Sequence, residues 1–592
     1  MASSDNKLSL DAISKLFSNN TLFESFSNDP KIRAEIRLIK ASAFIRSVPE
    51  WAEQLHDECK RQEWTVQIKE LFKLADKDVE YIFEELGYYA QLNASSVDGE
   101  MLGAIEGVWI RGTSGNNCEI AEELKKNVAV LENDHANALV NNIEDTCLAA
   151  TQVLVDPFLY PLDTINVSIL TAPIDSPEDS LNSELARSNK DWIQAIADLN
   201  RHHPNNVGNF DKRMITHMAR EDSESLPGGF HTCWLPTDFY VNDDGSVSIK
   251  SYINNLHPTR YATLYQTISK VFAKFVPLLG QVATDAQYPR SARAVFSRNE
   301  CYVPGIPSLQ KVATLVHQGE PLPEEYYRFE ISSNAYRPNG CGSNFYGAMG
   351  FTFDEDAYLE AWEAALTYNE PAPLPFSPSE RPMAPFCMHG LPLQASVEMF
   401  NVNLTSANPK SIEGEWQAVG RAEECIFAVG LYFYDVENVA SARLMFREPI
   451  SGKEYQYPEE IVDFRSAHDA ITPIWGKCIY SQDVGGAEIK SGGYICYPNY
   501  YQTKMPPFEL VDPTKAGHVK CIAFYITDPS SRLVSTEIVP PQQPSWAKAD
   551  DLSSVVFADK EAILQSNGLK ASHAEHNLSI NGHFNITVEV TE

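Results

Sequence analysis

Two short segments in the last third of the chain carry polar side chains that could contact a small molecule. Residues 416–420 read Trp-Gln-Ala-Val-Gly, and the amide of Gln417 can donate or accept a hydrogen bond to a substrate carbonyl. Residues 498–503 read Pro-Asn-Tyr-Tyr-Gln-Thr, and the Thr503 hydroxyl can do the same. Such fixed donors could orient a flexible substrate and stabilise developing charge.

Other side chains near these segments are candidates for the same site. Tyr432 and Tyr434 are two residues apart in a predicted strand and so share one face, where they could stack on a ligand or donate their hydroxyls. The alternative is that both are ordinary core residues. Arg421 and Lys504 flank the two segments and could steer an acidic group, or they are surface charges. Trp416 is predicted to pack beside the substrate.

Signatures of several other chemistries are missing. The sequence contains no G-x-S-x-G nucleophile elbow, no P-loop and no G-x-G-x-x-G after a strand. Cys341 lies in a turn-rich loop, but one loop cysteine is weak evidence for a reactive thiol. The 11 cysteines form no C-x-x-C pair, which favours free thiols in a reducing compartment over a zinc site.

Composition and charge exclude some partners. The 592 residues carry a formal net charge of −33, and such acidity repels phosphate backbones and anionic lipid. The longest apolar stretch, 425–434, is about half the length that crosses a bilayer. The first residues lack a basic region followed by an apolar core, so no secretory signal is predicted. We therefore expect a cytoplasmic protein without nucleic-acid or membrane partners.

The hydrophobic pattern predicts three regions. Residues 1–150 show helical spacing, residues 151–385 are a mixed helical and loop region with a helix over 257–279, and residues 386–592 contain β-strands and a C-terminal extension. Strands are predicted over 391–404, 425–434, 440–447, 493–497 and 519–527. Many short strands late in one chain suggest a jelly-roll barrel with helices packed outside it.

Several long segments resemble one known family. They are 234–239 (Trp-Leu-Pro-Thr-Asp-Phe), 251–258 (Ser-Tyr-Ile-Asn-Asn-Leu-His-Pro), 430–435 (Gly-Leu-Tyr-Phe-Tyr-Asp) and 512–518 (Asp-Pro-Thr-Lys-Ala-Gly-His). They resemble a large, mainly fungal family of unknown function whose typical members look like iron(II)/2-oxoglutarate oxygenases. The resemblance implies an α+β fold: a double-stranded β-helix (jelly-roll) core with a largely helical N-terminal region packed around it.

The chain departs from this family wherever the oxygenase chemistry needs a ligand. Iron(II) in such enzymes is held by two histidines and one carboxylate. The resemblance assigns these ligands to the positions of Gln417, Thr503 and Val419, and it places Val519 where an arginine would hold the co-substrate. An amide, a hydroxyl and an isopropyl group cannot hold iron(II) competitively. The usual metal site is therefore expected to be absent, with no cofactor in its place.

Three functions remain open from the sequence. The first is a metal-independent enzyme that cyclises or isomerises an apolar natural-product intermediate, by a Diels–Alder or related pericyclic reaction. Gln417, Thr503, Tyr432 and Tyr434 would act on the substrate, and Val419, Trp416, Arg421, Lys504 and Val519 would bind it. The second is a non-catalytic binding or regulatory relative, and the third is an oxygenase with unusual ligands. A small apolar metabolite is the expected partner, and a homo-oligomer is left open.

Overall fold

The structure is a computed structural model of the chain. It describes residues 31, 33–48, 50–95, 100–103, 105–112, 117–139, 151–163, 169–170, 174, 176–181, 187–188, 232–294, 336–338, 351–353, 372–378, 380–420, 424–449, 481–529, 532–543 and 546.

Most described helices lie in the N-terminal quarter of the chain. They are α1 (Arg33–Arg46), α2 (Trp51–Gln54), α3 (Glu58–Phe72), α4 (Asp76–Ala94) and α5 (Asn117–Leu139), followed by a 3-10 turn (Pro177–Leu181) and the long α6 (Ala262–Gln287). Helix α3 begins where the Asp57 carboxylate accepts a hydrogen bond from the Cys59 amide at 2.9 Å. Helix α6 is buried along most of its length because apolar residues recur at helical spacing.

The described strands are short in the first half of the chain and long in the second. They are β1 (Glu100–Leu102), β2 (Trp109–Arg111), β3 (Thr151–Val155), β4 (Leu162–Asp163), β5 (Ile169–Leu170), β6 (Arg187–Ser188), β7 (Thr232–Cys233), β8 (Thr237–Val241), β9 (Val247–Ile249), β10 (Tyr336–Pro338), β11 (Phe351–Phe353), β12 (Pro392–Leu404), β13 (Ile426–Glu437), β14 (Val439–Ala440), β15 (Arg443–Pro449), β16 (Ser481–Glu488), β17 (Gly493–Pro498), β18 (Gln502–Lys504), β19 (Glu509–Leu510) and β20 (Gly517–Thr527).

Nine strands form one large antiparallel sheet. Its order is β1-β2-β17-β13-β20-β12-β8-β9, and β3 also pairs with β12. The central pairs are long: β20 pairs with β12 from Gly517 to Ile526 and with β13 from His518 to Thr527. Strands from the first 150 residues and from the middle of the chain join this sheet, so it crosses both predicted region boundaries.

A smaller sheet contains three strands, in the order β16-β15-β18. The extended segment that contains Gln417 adds to its edge, because Gln417 forms an isolated antiparallel bridge with Thr503 of β18. From β12 onward the chain passes repeatedly between the two sheets: β12, β13, β17 and β20 lie in the large sheet, and the Gln417 segment, β15, β16 and β18 form the small one.

The two faces of the large sheet belong to different cores. One face packs on the helices, where Tyr432 and Phe524 join Phe275 of α6 in one hydrophobic cluster that we call the helix-facing core. The opposite face packs on the small sheet, where Val429 joins Phe446 in a second cluster that we call the intersheet core. Successive side chains of β13 and β20 alternate between the two cores, as pleating requires.

A buried ionic cluster connects the helices. Arg293, which follows α6, lies 2.8 Å from Glu85 of α4 and 3.1 Å from Glu106, and its amide donates to Glu35 of α1 at 2.9 Å. Burial opposes ionisation of Glu85, but Arg293 and the neighbouring arginines hold its pKa at about 2. The cluster ties α1, α4 and the turn before β2 to the end of α6.

Among the described residues, no helix is both long and apolar enough to span a membrane.

The contact between α6 and the large sheet predicts a sharp difference between two glycine substitutions. A Cβ at Gly430 of β13 would lie 2.8 Å from two ring atoms of the fully buried Phe275. We expect Gly430→Ala to lower the free energy of unfolding by about 1–3 kcal/mol, because the ring has no free space. Urea denaturation measures the change.

Gly87 is the matched control. It lies inside α4, and no atom lies within 4 Å of the position that an added methyl group would take. Gly87→Ala should therefore stabilise the protein by up to about 1 kcal/mol through helix propensity. Equal effects of the two substitutions would contradict the close packing of α6 on β13.

Candidate functional site

Gln417 and Thr503 face the intersheet core from the small sheet. Each backbone amide donates to the other residue's carbonyl at 2.9 Å, so the two residues lie directly opposite one another. Thr503 is also directly opposite Phe446 of β15, which packs in the intersheet core. Directly opposite residues of antiparallel strands share a face, so both side chains lie on the same side of the sheet as Phe446.

Val419 and Val519 add apolar surface to the same core. Val519 of β20 is fully buried there, and Val419 packs against the cluster from its edge. The Asn499 side chain donates to the Val419 carbonyl at 2.8 Å and so fixes the Val419 backbone to the end of β17. Gly420 follows with a φ of +72°, and a Cβ there would lie 2.4 Å from Ile426, so only glycine fits this turn.

Trp416 and Lys504 lie on the other side of the small sheet. The Trp416 ring lies 4.8 Å from the Arg447 guanidinium and 5.6 Å from the Lys504 ammonium. Lys504 also pairs with Glu413. Because neighbours along a strand point to opposite faces, these side chains point away from Gln417 and Thr503. This placement does not bring Trp416 or Lys504 into contact with a substrate beside Gln417. Arg421 lies outside the described residues.

The structure also places Tyr432 and Tyr434 away from the intersheet core. Both are buried in the helix-facing core. The Tyr432 ring stacks on Tyr494 with centroids 4.0 Å apart, and the Tyr434 hydroxyl donates to Asn401 at 3.3 Å. The two tyrosines share a face, as expected, but that face is turned to the helices. Phe433, which lies between the two tyrosines, and Leu431, which precedes Tyr432, face the small sheet instead.

Three polar residues of the large sheet face Gln417 and Thr503, and sequence reasoning did not select them. The Tyr497 hydroxyl of β17 lies 3.5 Å from the Thr503 hydroxyl. Tyr525 of β20 is directly opposite Val429, which is in turn directly opposite Tyr497, so the three lie in one row across the sheet. The Tyr525 hydroxyl donates to the carboxylate of Glu398 on β12.

Glu398 carried a signal in the sequence. In an extended strand Glu398 shares one face with Phe400, Val402 and Leu404, whose side chains are apolar. A charged residue on the apolar side of a strand pattern marks either a strand edge or a buried polar site. The interior location follows only from the pairing of β12 with β20, in which Glu398 is opposite Ala523.

The environment of Glu398 changes its acidity. Burial raises its pKa to about 7, the Tyr525 hydrogen bond opposes the rise, and the charge of Asp156 adds to it. The residue keeps some accessible surface even though burial dominates the shift. Glu398 therefore exchanges a proton near neutral pH.

The residues present do not fit the iron centre that the sequence resemblance implies. Gln417, Val419 and Thr503 offer an amide, an isopropyl group and a hydroxyl, none of which belongs to the imidazole and carboxylate set that iron(II) needs. Within the described ranges, no group of three or more histidine, cysteine, aspartate or glutamate residues could hold a metal ion.

Comparison with known families assigns the chain to one of them. Residues 76–550 match the family described as "Protein of unknown function (DUF4246)". The match covers most of the chain, and the protein belongs to this family. A comparison with curated proteins found no match.

Solved structures give only distant similarities. A dioxygenase, "Fe(II)/(alpha)ketoglutarate-dependent dioxygenase TqaL", is 8% identical, with 57% of this chain and 87% of that chain covered and a TM-score of 0.18. A bsmA homolog from Methylobium petroleophilum PM1 is 10% identical over 36% and 57% of the two chains, with a TM-score of 0.15. IDO from Bacillus thuringiensis is 6% identical over 23% of this chain and less than half of its own, 47%, with a TM-score of 0.14. Scores this low carry no argument about fold or activity.

The raised pKa of Glu398 predicts a pH-dependent cost to stability. In the folded chain Glu398 ionises near pH 7, whereas an unfolded glutamate ionises near pH 4.5, so the folded state binds more protons between these values. Wild-type stability should therefore fall, relative to that of Glu398→Gln, by about 3 kcal/mol as pH rises through this window. Urea denaturation of both proteins below pH 4.5 and above pH 7 measures the difference.

The exposed Glu509 of β19 provides the control for this experiment. Glu509→Gln should leave the stability close to that of the wild type, because the Glu509 side chain is exposed to solvent. A difference between wild type and Glu398→Gln that does not vary with pH would show that Glu398 is not buried as described.

Proposed function

We propose that the chain is a metal-independent enzyme that cyclises or isomerises an apolar natural-product intermediate, by a Diels–Alder or related pericyclic reaction. The observation that carries the proposal is the set of hydrogen-bonding side chains that face the intersheet core: Gln417 and Thr503 from the small sheet and Tyr497 from the large one. They lie beside the apolar side chains of the intersheet core, which suits a substrate with few polar groups.

The fold supports the placement of a pocket between the sheets. The chain passes repeatedly between the large sheet, in the order β17-β13-β20-β12, and the small sheet, in the order β16-β15-β18 with the Gln417 segment at its edge. This arrangement supports a double-stranded β-helix, or jelly roll, with α5 and α6 outside the large sheet. A pocket in such a core is enclosed by side chains from both sheets.

The chemistry follows from the groups that the site offers. The Gln417 side chain has no hydrogen bond to any other described residue, so its amide protons can donate to a substrate carbonyl. The Thr503 and Tyr497 hydroxyls are 3.5 Å apart and can hold a second polar atom. Orientation of a flexible substrate can supply about 7–11 kcal/mol, and a fixed donor on a developing negative charge about 3–4 kcal/mol. These contributions are sufficient for a reaction that transfers no electrons to a cofactor.

The test is a mass-conserving conversion. Purified protein treated with a chelator should be incubated, without oxygen, with metabolite extract from the producing organism disrupted in this gene. We expect a precursor to disappear and an isomer of equal mass to form, measured by chromatography and mass spectrometry. In a parallel incubation with oxygen, iron(II) and 2-oxoglutarate and without the chelator, a product that gains one oxygen atom would instead identify an oxygenase. Binding of a metabolite without conversion would identify a binding protein.

Variants of the facing residues should slow the conversion without unfolding the chain. Gln417→Leu removes the free amide donor and should lower the rate about 100- to 1,000-fold, while Thr503→Val, nearly isosteric, should lower it about 10- to 100-fold. Ile412→Ser, on the same segment but 67% exposed, should retain the wild-type rate. Thermal denaturation of each variant checks its fold. Wild-type rates in both site variants would contradict the proposed site.

A further inference from the structure

Five residues next to the intersheet core form a closed series of contacts that combines two carboxylates with three aromatic rings. The Tyr525 hydroxyl donates to Glu398, and the Tyr525 ring lies 4.9 Å from that of Trp234. The Trp234 ring meets Phe158 edge-on at 5.0 Å, and the Phe158 amide donates to Asp156 Oδ1 at 2.9 Å. Asp156 directly follows β3, and Val155 of β3 is directly opposite Met399 of β12, so Asp156 lies beside Glu398 and completes the series. We call these residues the acidic–aromatic cluster.

The negative charge of this cluster has no cationic partner within the described parts of the chain. Asp156 is 5% exposed, and its second carboxylate oxygen, Oδ2, is buried without a hydrogen bond. Glu398 accepts one hydrogen bond, from Tyr525, and forms no ion pair with a described residue. A buried carboxylate oxygen without a donor costs about 1–3 kcal/mol, and more when it is charged. A folded protein keeps such a group where something else satisfies it.

The surrounding aromatic rings indicate the chemical class of the ligand that would satisfy the two carboxylates. Aromatic faces attract cations, tryptophan most strongly, and a ring quadrupole combined with a carboxylate is the usual way proteins bind organic ammonium groups. A metal ion would need further oxygen or nitrogen ligands, and the described residues provide no third acidic, histidine or cysteine ligand in a metal-binding group here. The rings also exclude the waters that a hydrated metal ion would keep.

We propose that the acidic–aromatic cluster binds an organic ammonium group, held between Glu398 and Asp156 and against the rings of Trp234 and Phe158. Asp156 Oδ2 and the free oxygen of Glu398 accept its hydrogen bonds or balance its charge. The cation removes the cost of two close, buried carboxylates.

This site extends the interior that contains Gln417 and Thr503. Tyr525 and Tyr497 flank Val429 in one row across the large sheet, and the Tyr497 hydroxyl lies 3.5 Å from that of Thr503. A single ligand could therefore place an ammonium group in the cluster and its apolar body beside Gln417. Resting on the proposed function, the inference names the substrate class: an apolar metabolite that carries a basic amine.

The experiment compares two probes of the same shape. Benzyltrimethylammonium carries a permanent positive charge, and 2,2-dimethylpropylbenzene is its neutral isostere. Binding to the full chain is measured by isothermal titration calorimetry above pH 7, where Glu398 is ionised. We expect the charged probe to bind at least about tenfold more tightly than the neutral one. Glu398→Gln and Asp156→Asn should each reduce that ratio towards one, and Glu509→Gln should leave it unchanged.

The outcomes separate this inference from the proposed function. Equal affinity for the two probes would overturn the ammonium site and leave the apolar interior intact. Binding of neither probe would overturn both the ammonium site and the pocket between the sheets. Displacement of the charged probe by magnesium or calcium at equimolar concentration would assign the carboxylates to a metal ion and overturn the ammonium assignment. A charge preference that survives both acidic-cluster variants would place the cation elsewhere and also overturn it.

Discussion

The large sheet of this protein must be buried on both faces, and the rest of the described structure depends on that constraint. Strands β13 and β20 carry apolar side chains on both sides, and most residues of each strand are buried. One face is covered by α6, α5 and the N-terminal helices, and the other by the small sheet. Without either layer, a row of leucine, valine and phenylalanine side chains would contact solvent, at about 25 cal/mol for each Å² exposed.

Double burial also explains why the interior polar groups are informative. A carboxylate, two phenols, a hydroxyl and an amide lie between the two sheets, beside the apolar side chains of the intersheet core. Each of them costs free energy to bury unless it has a partner. Arg293 shows how the protein satisfies buried charge when the role is structural: three carboxylates surround it from separate elements. Glu398 and Asp156 have no such arrangement among the described residues, which is why we assign them to a ligand.

The sequence predicted the positions of the strands more accurately than their packing against the rest of the chain. Residues 391–404 and 425–434 were predicted as strands, and the structure has Pro392–Leu404 and Ile426–Glu437. The helix predicted over 257–279 runs from Ala262 to Gln287. Its start is later because residues 258–261 form turns, and its end is later because buried residues such as Val282 and Ala283 continue the packed face beyond residue 279.

Which face of the large sheet each side chain occupies was harder to predict. Tyr432 and Tyr434 share a face by spacing alone, but β13 is apolar on both faces, so no alternation indicates which face meets the small sheet. The partners of Glu398 come from sequence positions more than 100 residues away, namely Tyr525, Trp234 and Asp156. Only the pairing of β12 with β20, and the packing of the segments before β8, bring them together.

We propose that the space between the sheets acts without the iron centre that the sequence resemblance implies for typical family members. The most direct test is to purify the protein anaerobically with iron(II), measure its bound metal by mass spectrometry and follow its thermal denaturation with and without 2-oxoglutarate. The account predicts substoichiometric iron and an unchanged melting temperature. One iron per chain together with a clear stabilisation by 2-oxoglutarate would contradict it.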